Sequence, residues 1–397
     1  MLTREENEFL TRVGPGQPAG ELLRRYWHPI ATHEDLSAEQ PTKFVRLLGE
    51  DLVLFRDTQG RVGLLAEHCA HRGASLCYGR VEARGIACPY HGWLYDTQGN
   101  ILETPPERND AILKHVKQKA YPVQQFIGLY WAYLGPPPAP VIPPYDVWVR
   151  KDGRRWIEVR GRLDCNWLQA MENSVDSAHL QILHQEFVGR GRQPASTTRG
   201  FIDDVASYEF EVFPFGIWKR RTYVNGVVDL HPLLFPTVLR QGNATQIRVP
   251  IDDTHTWHVV VHFEPTPDGA PAPDAGEPPV RYARYHKEPA DALHPFTRYT
   301  MHSVAAQDHM AWETQGPIAD RTQEHLSYSD RGIVLLRRLL KEQIRRVQQG
   351  LDPMGVIRDP NHPMIDTNLE GEAQGVFGSR YPVGVGAATQ PAAEERT

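Results

Sequence analysis

The chain has 397 residues, 40% of them hydrophobic and 23% charged, with a formal net charge of −6. That is material for about two or three domains with substantial cores, and an acidic balance that argues against nucleic acid or an anionic membrane as partner. Four cysteines in this length make no disulfide framework, and the charged start Met1-Leu2-Thr3-Arg4-Glu5-Glu6 lacks the apolar stretch of a secretory signal, so the cytoplasm is the expected compartment.

Residues 7–27 read as helix around a Gly14-Pro15-Gly16 break, anchored by Phe9, Leu10, Leu22, Leu23 and Tyr26. Residues 43–66 alternate like paired strands separated by turn residues. Trp93-Leu94-Tyr95 reads as a further strand before the turn Asp96–Asn100, and the apolar run Phe126–Leu134, too short to span a bilayer, as a buried one. Gly135 to Pro144 carries six prolines in ten residues; it is a stiff connector and marks a domain boundary. Beyond it, Trp167–Leu183 has helical character and residues 205–264 contain several strand-like runs. Pro265–Pro279 reads as an exposed loop, and Ile333–Val347 as an amphipathic helix with Leu335, Leu336, Leu339, Leu340, Ile344 and Val347 on its apolar side. The end of the chain reads as disordered. This gives residues 1–40 as an N-terminal helical segment, 41–140 as a β domain, 141–384 as an α+β domain and 385–397 as a tail.

Two strings carry the chemistry. Cys69-Ala70-His71 and Cys88-Pro89-Tyr90-His91 each pair one Cys with one His beside turn-forming residues. A Rieske [2Fe–2S] cluster needs two Cys and two His presented in such pairs. A structural zinc site is the plainer alternative, but zinc modules favour a Cys pair with a separate His pair. The second string is Asp176-Ser177-Ala178-His179 with His184. Two His and one carboxylate on one face, opposite open positions, make a non-haem Fe(II) site. On a regular helix residues five apart differ by about 140°, so His179 and His184 can share a metal only if the helix bulges or unwinds, here expected between Leu180 and Leu183. Two ordinary core or surface histidines are the alternative.

Cys69-Ala-His71-Arg-Gly-Ala-Ser-Leu and Cys88-Pro-Tyr-His91-Gly-Trp93 resemble the Rieske domain of aromatic-ring-hydroxylating oxygenases, and Asn166 to His184 resembles the iron motif of the same family. The stretch Gln307-Asp308-His309-Met310-Ala311-Trp312-Glu313 is similar to the corresponding segment of its phthalate-dioxygenase branch. The resemblance implies an all-β Rieske domain followed by an antiparallel sheet with helices of the helix-grip, START-like kind, α+β as a whole. It implies that Cys69, His71, Cys88 and His91 hold the [2Fe–2S] cluster and that His179, His184 and Asp308 hold a mononuclear Fe(II), with Glu313 and Asp320 as substitutes for Asp308. Asp176 would bridge His179 to His71 or His91 of a neighbouring subunit, and Asn173 would lie near the iron. No disulfide joins the cluster loops in this type, which leaves Cys77 and Cys165 as small buried residues.

No dinucleotide-binding fingerprint is present, so electrons must arrive from outside, and the resemblance implies a separate NAD(P)H-dependent flavin and iron–sulfur reductase as their source. The implied activity is that of a terminal oxygenase, which uses O2 to hydroxylate, cis-dihydroxylate or O-demethylate a small aromatic substrate, an aromatic acid above all, in a homotrimer or dimer of trimers. A pure Rieske electron carrier is the alternative. An aromatic acid needs a cation in the pocket; Arg190, Arg192, Arg199, Arg220 and Arg221 are the candidates, each open also to a surface or structural role.

Overall fold

The computed structural model describes residues 1–109, 111–184, 205–226, 228–273, 276–283, 287–288, 292 and 298–367. Arg190, Arg192, Arg199 and the expected tail lie outside them.

The N-terminal segment is helical only as far as Leu23. Helix α1 (Arg4–Thr11) starts in a reciprocal cap between Thr3 and Glu6, and α2 (Pro18–Leu23) follows the Gly14–Gly16 break. Trp27–Thr32 is then a strand, paired antiparallel with Leu129–Tyr133, which in turn forms a hairpin with Val123–Phe126. All five residues of Leu129–Tyr133 are buried. The hairpin reverses through Ile127 and Gly128, both at positive φ, the turn whose twist matches that of paired strands.

Thr42–Leu47, Glu50–Arg56 and Val62–Ala66 form an antiparallel sheet that Ala120–Tyr121 completes. A second four-stranded sheet holds Arg80–Glu82, Gly85–Ala87, Leu94–Tyr95 and Ile101–Glu103. Between the two lies a small core of its own, with Val53, Phe55, Leu65, Leu76, Ile86, Trp93, Tyr95 and Ile101 packed around Cys69 and Cys88.

Past the proline-rich connector and the short α3 (Asp146–Val149) the chain builds one eight-stranded sheet. Its order is Val205–Phe213, Gly216–Tyr223, Val228–Leu234, Val238–Gln241, Ala244–Pro250, Thr256–Pro265, Gly153–Leu163 and Val280–Tyr282. Every pairing is antiparallel except the last. Helix α4 (Trp167–Val175) packs on the strand Ala244–Pro250 and on the long helix α7 (Arg331–Gln348). Leu336, Leu339, Leu340, Ile344 and Val347 of α7 are buried in the main core, as the 3.6-residue period of that segment requires.

The back of α4 is held by charge. Glu172 accepts from Arg321 Nη2 at 2.7 Å and from Arg337 Nε at 2.6 Å, all three residues being buried. Arg321 also donates to Asn7 Oδ1 at 3.1 Å, and its carbonyl accepts from Leu2 N at 3.0 Å. Asn166, the N-cap of α4, donates to Thr11 O at 2.9 Å. The first turns of the chain thus lie against the helix that leads into the second string.

Candidate metal centres

The two Cys/His loops share one construction. In each, the amide of a glycine four residues on donates back to the cysteine carbonyl, Gly73 to Cys69 at 2.8 Å and Gly92 to Cys88 at 3.0 Å. Gly73 and Gly92 have φ of 74° and 73°, which L side chains rarely adopt. Each cysteine amide is then satisfied from the far side of its loop, by Ala74 O and Trp93 O respectively. Both sulfurs are turned into the small core; both imidazoles are turned outward and half-buried. The His71 and His91 rings lie 4.7 Å apart, and His71 stacks flat on Trp93 at 4.5 Å.

The four side chains therefore sort into a buried thiol pair and an outer imidazole pair, drawn from both loops. The Cys88 thiol is pushed up by burial and by the neighbouring Cys69, while the amides of Tyr90 and His91, aimed at its sulfur, act the other way. Tyr95 Oη lies 3.0 Å from Cys69 Sγ and can donate to it. The Cys69 loop is pinned by Gln118, which accepts from Ala70 N at 2.8 Å and donates to the carbonyls of Ala66 and His68. Among the described residues the sets whose ligand atoms converge within 4.8 Å, as around one ion, do not include these four. A binuclear centre with thiolates on one iron and imidazoles on the other spans more than a single ion does, so this donor set fits a Rieske cluster better than zinc. All four cysteines are free thiols. Cys165 is buried as expected, whereas Cys77 is half-buried.

His179, His184 and Asp308 do converge, with one ligand atom of each within 4.8 Å of the others. Asp308 Oδ1 is 3.1 Å from His184 Nε2 and 3.8 Å from His179 Nε2. The helix is interrupted around the two histidines, once more than expected. It stops first at Asp176, whose φ of −84° and ψ of 115° are extended, and restarts as α5 (His179–Ile182). Asp176 makes the restart, its Oδ1 accepting from Ala178 N at 2.8 Å and His179 N at 3.4 Å. α5 is a single turn that ends at Ile182, inside the interval where unwinding was expected, and His184 lies past its end. The two rings stand 5.3 Å apart and nearly perpendicular.

Asp308 comes from α6 (Val304–Glu313), which starts at the Ser303 cap. Asn173 of α4 donates to Asp308 Oδ1 at 3.2 Å. Gln307 Oε1 lies 2.7 Å from His184 Nδ1; as acceptor it places the proton on Nδ1 and leaves Nε2 for the metal side. Asp308 is buried, which alone would raise its pKa, but His184, His179 and Arg248 bring it down to about 2. Burial would lower His184, yet Asp308 and Gln307 leave it raised. Burial opposes ionisation of Asp176 too, and is outweighed by His179, the Ala178 amide and Lys219. Its Oδ2 is 3.4 Å from His179 Nδ1. Two imidazoles and a buried carboxylate, with an amide beside the carboxylate, fit an Fe(II) facial site.

The two substitutes for Asp308 do other work. Glu313 accepts from Asp164 N and Tyr299 Oη and pairs with Lys287. Asp320 caps a surface turn through Thr322. Sequence reasoning missed the roles of Gln307, Tyr95 and Gln118, each a neutral polar residue whose type alone marks no chemistry. It also missed Lys219 and Arg248, which line the same pocket as the triad. Their signal was available: on Gly216–Tyr223 the alternating positions 217, 219, 221 and 223 are the buried ones, and a cation at that parity is out of place.

Residues 26–126 match the Rieske [2Fe–2S] domain model and residues 291–368 match a LigXa C-terminal domain-like model. The chain is 39% identical over 371 residues to the 5,5′-dehydrodivanillate O-demethylase oxygenase subunit of Sphingobium sp., covering 91% of this chain and 84% of that one. It is 34% identical to the phthalate 4,5-dioxygenase oxygenase subunit of Pseudomonas putida, over 89% of each. Among solved structures, the terminal oxygenase of carbazole 1,9a-dioxygenase from Nocardioides aromaticivorans superposes with a TM-score of 0.57 at 20% identity, covering 86% of this chain and 97% of that one. Sequence kinship over nearly the full length and a shared two-part fold lead to one conclusion: this chain belongs to the Rieske non-haem iron oxygenases and is an oxygenase subunit of that family.

Proposed function

We propose that the chain is the terminal oxygenase of a multicomponent system that hydroxylates, cis-dihydroxylates or O-demethylates an aromatic substrate. The carrying observation is the convergence of His179, His184 and Asp308 within 4.8 Å, which an electron carrier would not need. When bound, the cluster stores and passes single electrons and the mononuclear iron activates O2. The chain's residues supply the rest. Cys69 and Cys88 are the buried thiolate ligands and His71 and His91 the outer pair. Gln307 orients His184, Asn173 holds Asp308, and the burial of His184 and Asp308 keeps bulk water from two of the three metal-binding side chains. The names of the two relatives, one a demethylase and one a dioxygenase, support both reaction types.

Electrons arrive from a separate NAD(P)H-dependent reductase. Within the assembly we place Asp176 between His179 and the His71 or His91 of the next subunit in a homotrimer. The outward, half-buried setting of the two cluster imidazoles supports this, as does the 26% exposure of the Asp176 side chain. No helix among the described residues is long and apolar enough to cross a membrane, and four free thiols suit a cytoplasmic protein.

The test is the metal content of the purified protein. An oxygenase should hold about three irons for every two acid-labile sulfides, whereas a carrier holds them in equal number. His179→Ala should lose the extra iron and keep the cluster absorbance. Asp176→Ala should keep both centres and lose coupled turnover; a full steady-state rate in that variant would remove Asp176 from the electron path.

A further inference from the structure

Away from the two centres, one more set of ligand atoms converges among the described residues: Asp51, Glu67 and His68, one atom of each within 4.8 Å of the others. The backbone fixes all three. Asp51 lies on the strand Glu50–Arg56, and the neighbouring strand Val62–Ala66 ends just before Glu67. Glu67 N donates to Asp51 O at 3.0 Å, and Glu67 O accepts from Leu76 N at 2.8 Å. His68 O accepts from Gln118 Nε2 at 2.9 Å, and the next residue is Cys69. The set therefore stands at the root of the first Cys/His loop.

The His68 ring is oriented as a metal-binding imidazole is. Its Nδ1 lies 2.9 Å from Gly73 O. A carbonyl only accepts, so the proton is on Nδ1 and the lone pair of the neutral ring is on Nε2. That Nε2 faces Glu67 Oε2 at 3.4 Å, acceptor against acceptor. A proton between the two would draw them to about 2.7–2.9 Å. The observed spacing matches instead the edge of a tetrahedron whose bonds are about 2.1 Å, the length of zinc–nitrogen and zinc–oxygen bonds. The Glu67 side chain is 13% exposed, and its carboxylate accepts no hydrogen bond from any described residue. The third ligand, Asp51, already has a partner in Arg46, at 2.5 and 2.9 Å. Arg46 has a second acid within reach: its Nη1 is 3.8 Å from Asp252 Oδ2, in the turn after the strand Ala244–Pro250. The outer side of His68 is open to water, which can complete the coordination.

We propose that Asp51, Glu67 and His68 form a binding site for a divalent d-block cation such as zinc, separate from the cluster and from the mononuclear centre, with Arg46 passing from Asp51 to Asp252 as the ion enters. One imidazole with two carboxylates suits zinc, whereas calcium or magnesium asks for more oxygen ligands. Positive charge beside Cys69 favours the reduced cluster, so occupancy of the site raises the reduction potential of the cluster.

The test is equilibrium dialysis of the iron-loaded holoenzyme against zinc, with iron measured in the same samples. The parent should take up one zinc beyond any that displaces iron. His68→Ala and Glu67→Gln should each weaken that zinc at least about tenfold, and the visible absorbance of the cluster shows that each variant is folded. Arg46→Gln, which frees Asp51 and removes a competing cation, should hold zinc at least as tightly as the parent. In spectroelectrochemistry zinc should raise the cluster potential of the parent and leave that of Glu67→Gln where it was. No zinc beyond that replacing iron would overturn the proposal. So would parental affinity in both His68→Ala and Glu67→Gln, weaker binding in Arg46→Gln, or a parent whose cluster potential ignores zinc.

Discussion

Replacing Gln307 by Leu should weaken mononuclear iron binding without touching the cluster. Gln307 Oε1 lies 2.7 Å from His184 Nδ1, and the His184 side chain is 1% exposed, so water cannot take its place. In the metal-free variant the imidazole escapes the loss by moving its proton to Nε2, facing Asp308 Oδ1 at 3.1 Å. In the metal-bound variant it has no such escape, because Nε2 must be bare and the Nδ1 proton is left buried and unpaired. An unsatisfied buried donor costs about 1–3 kcal/mol. A middle value of about 2 kcal/mol, borne only by the bound state, is about a thirtyfold loss of affinity, inside the range for outer-shell partners of metal-binding histidines. Anaerobic Fe(II) titration against a chromophoric chelator measures it, with the visible absorbance of the cluster as the control for folding. An affinity within about threefold of the parent would refute the claim that Gln307 fixes the tautomer of His184.

Tyr95→Phe should lower the reduction potential of the cluster. The Tyr95 hydroxyl, 3.0 Å from Cys69 Sγ, draws density from the sulfur and favours the reduced state; a differential of about 1 kcal/mol is about 40 mV for a one-electron couple, read by spectroelectrochemistry. Glu172→Ala should destabilise the fold by about 3 kcal/mol or more, because it strands the buried Arg321 while Arg337 keeps Glu324 at 2.8 Å; thermal or denaturant unfolding reports it. Burial alone would raise the pKa of Glu172, but Arg321 and Arg337 set it below its ordinary 4.5. Its contribution is therefore present above that value and lost as pH falls through the depressed one, so the gap between parent and variant should close in acid. A gap that widened there would show that the carboxylate is not held ionised by the two arginines.

The candidate metal ligands were legible because coordination chemistry constrains residue type and spacing at once. Cys69, His71, Cys88 and His91 bracket tight turns, and the structure gathers them as thiol and imidazole pairs. The strands of residues 43–66 followed from alternation and turn residues, and α7 from its apolar stripe. The break at Asp176 was not legible in place. Nothing in Val175-Asp176-Ser177-Ala178 forbids a helix, and the helix is stopped there by the Asp176 side chain taking up amides at the start of α5. Trp27–Thr32 escaped notice as a strand because its partner, Leu129–Tyr133, lies about a hundred residues away, beyond the reach of local pattern. Lys219 and Arg248 belong to no motif; only the fold shows that they share a pocket with Asp308.

Leu2 and Asn7 hold Arg321 from one side while Glu172 holds it from the other, and Thr11 grips the cap of α4. Residues 2–11 are thus a clasp on the helix that leads into the candidate iron site, although they lie far from Asp308 in sequence. Removing residues 2–11 would loosen that clasp and mimic a defect in iron loading.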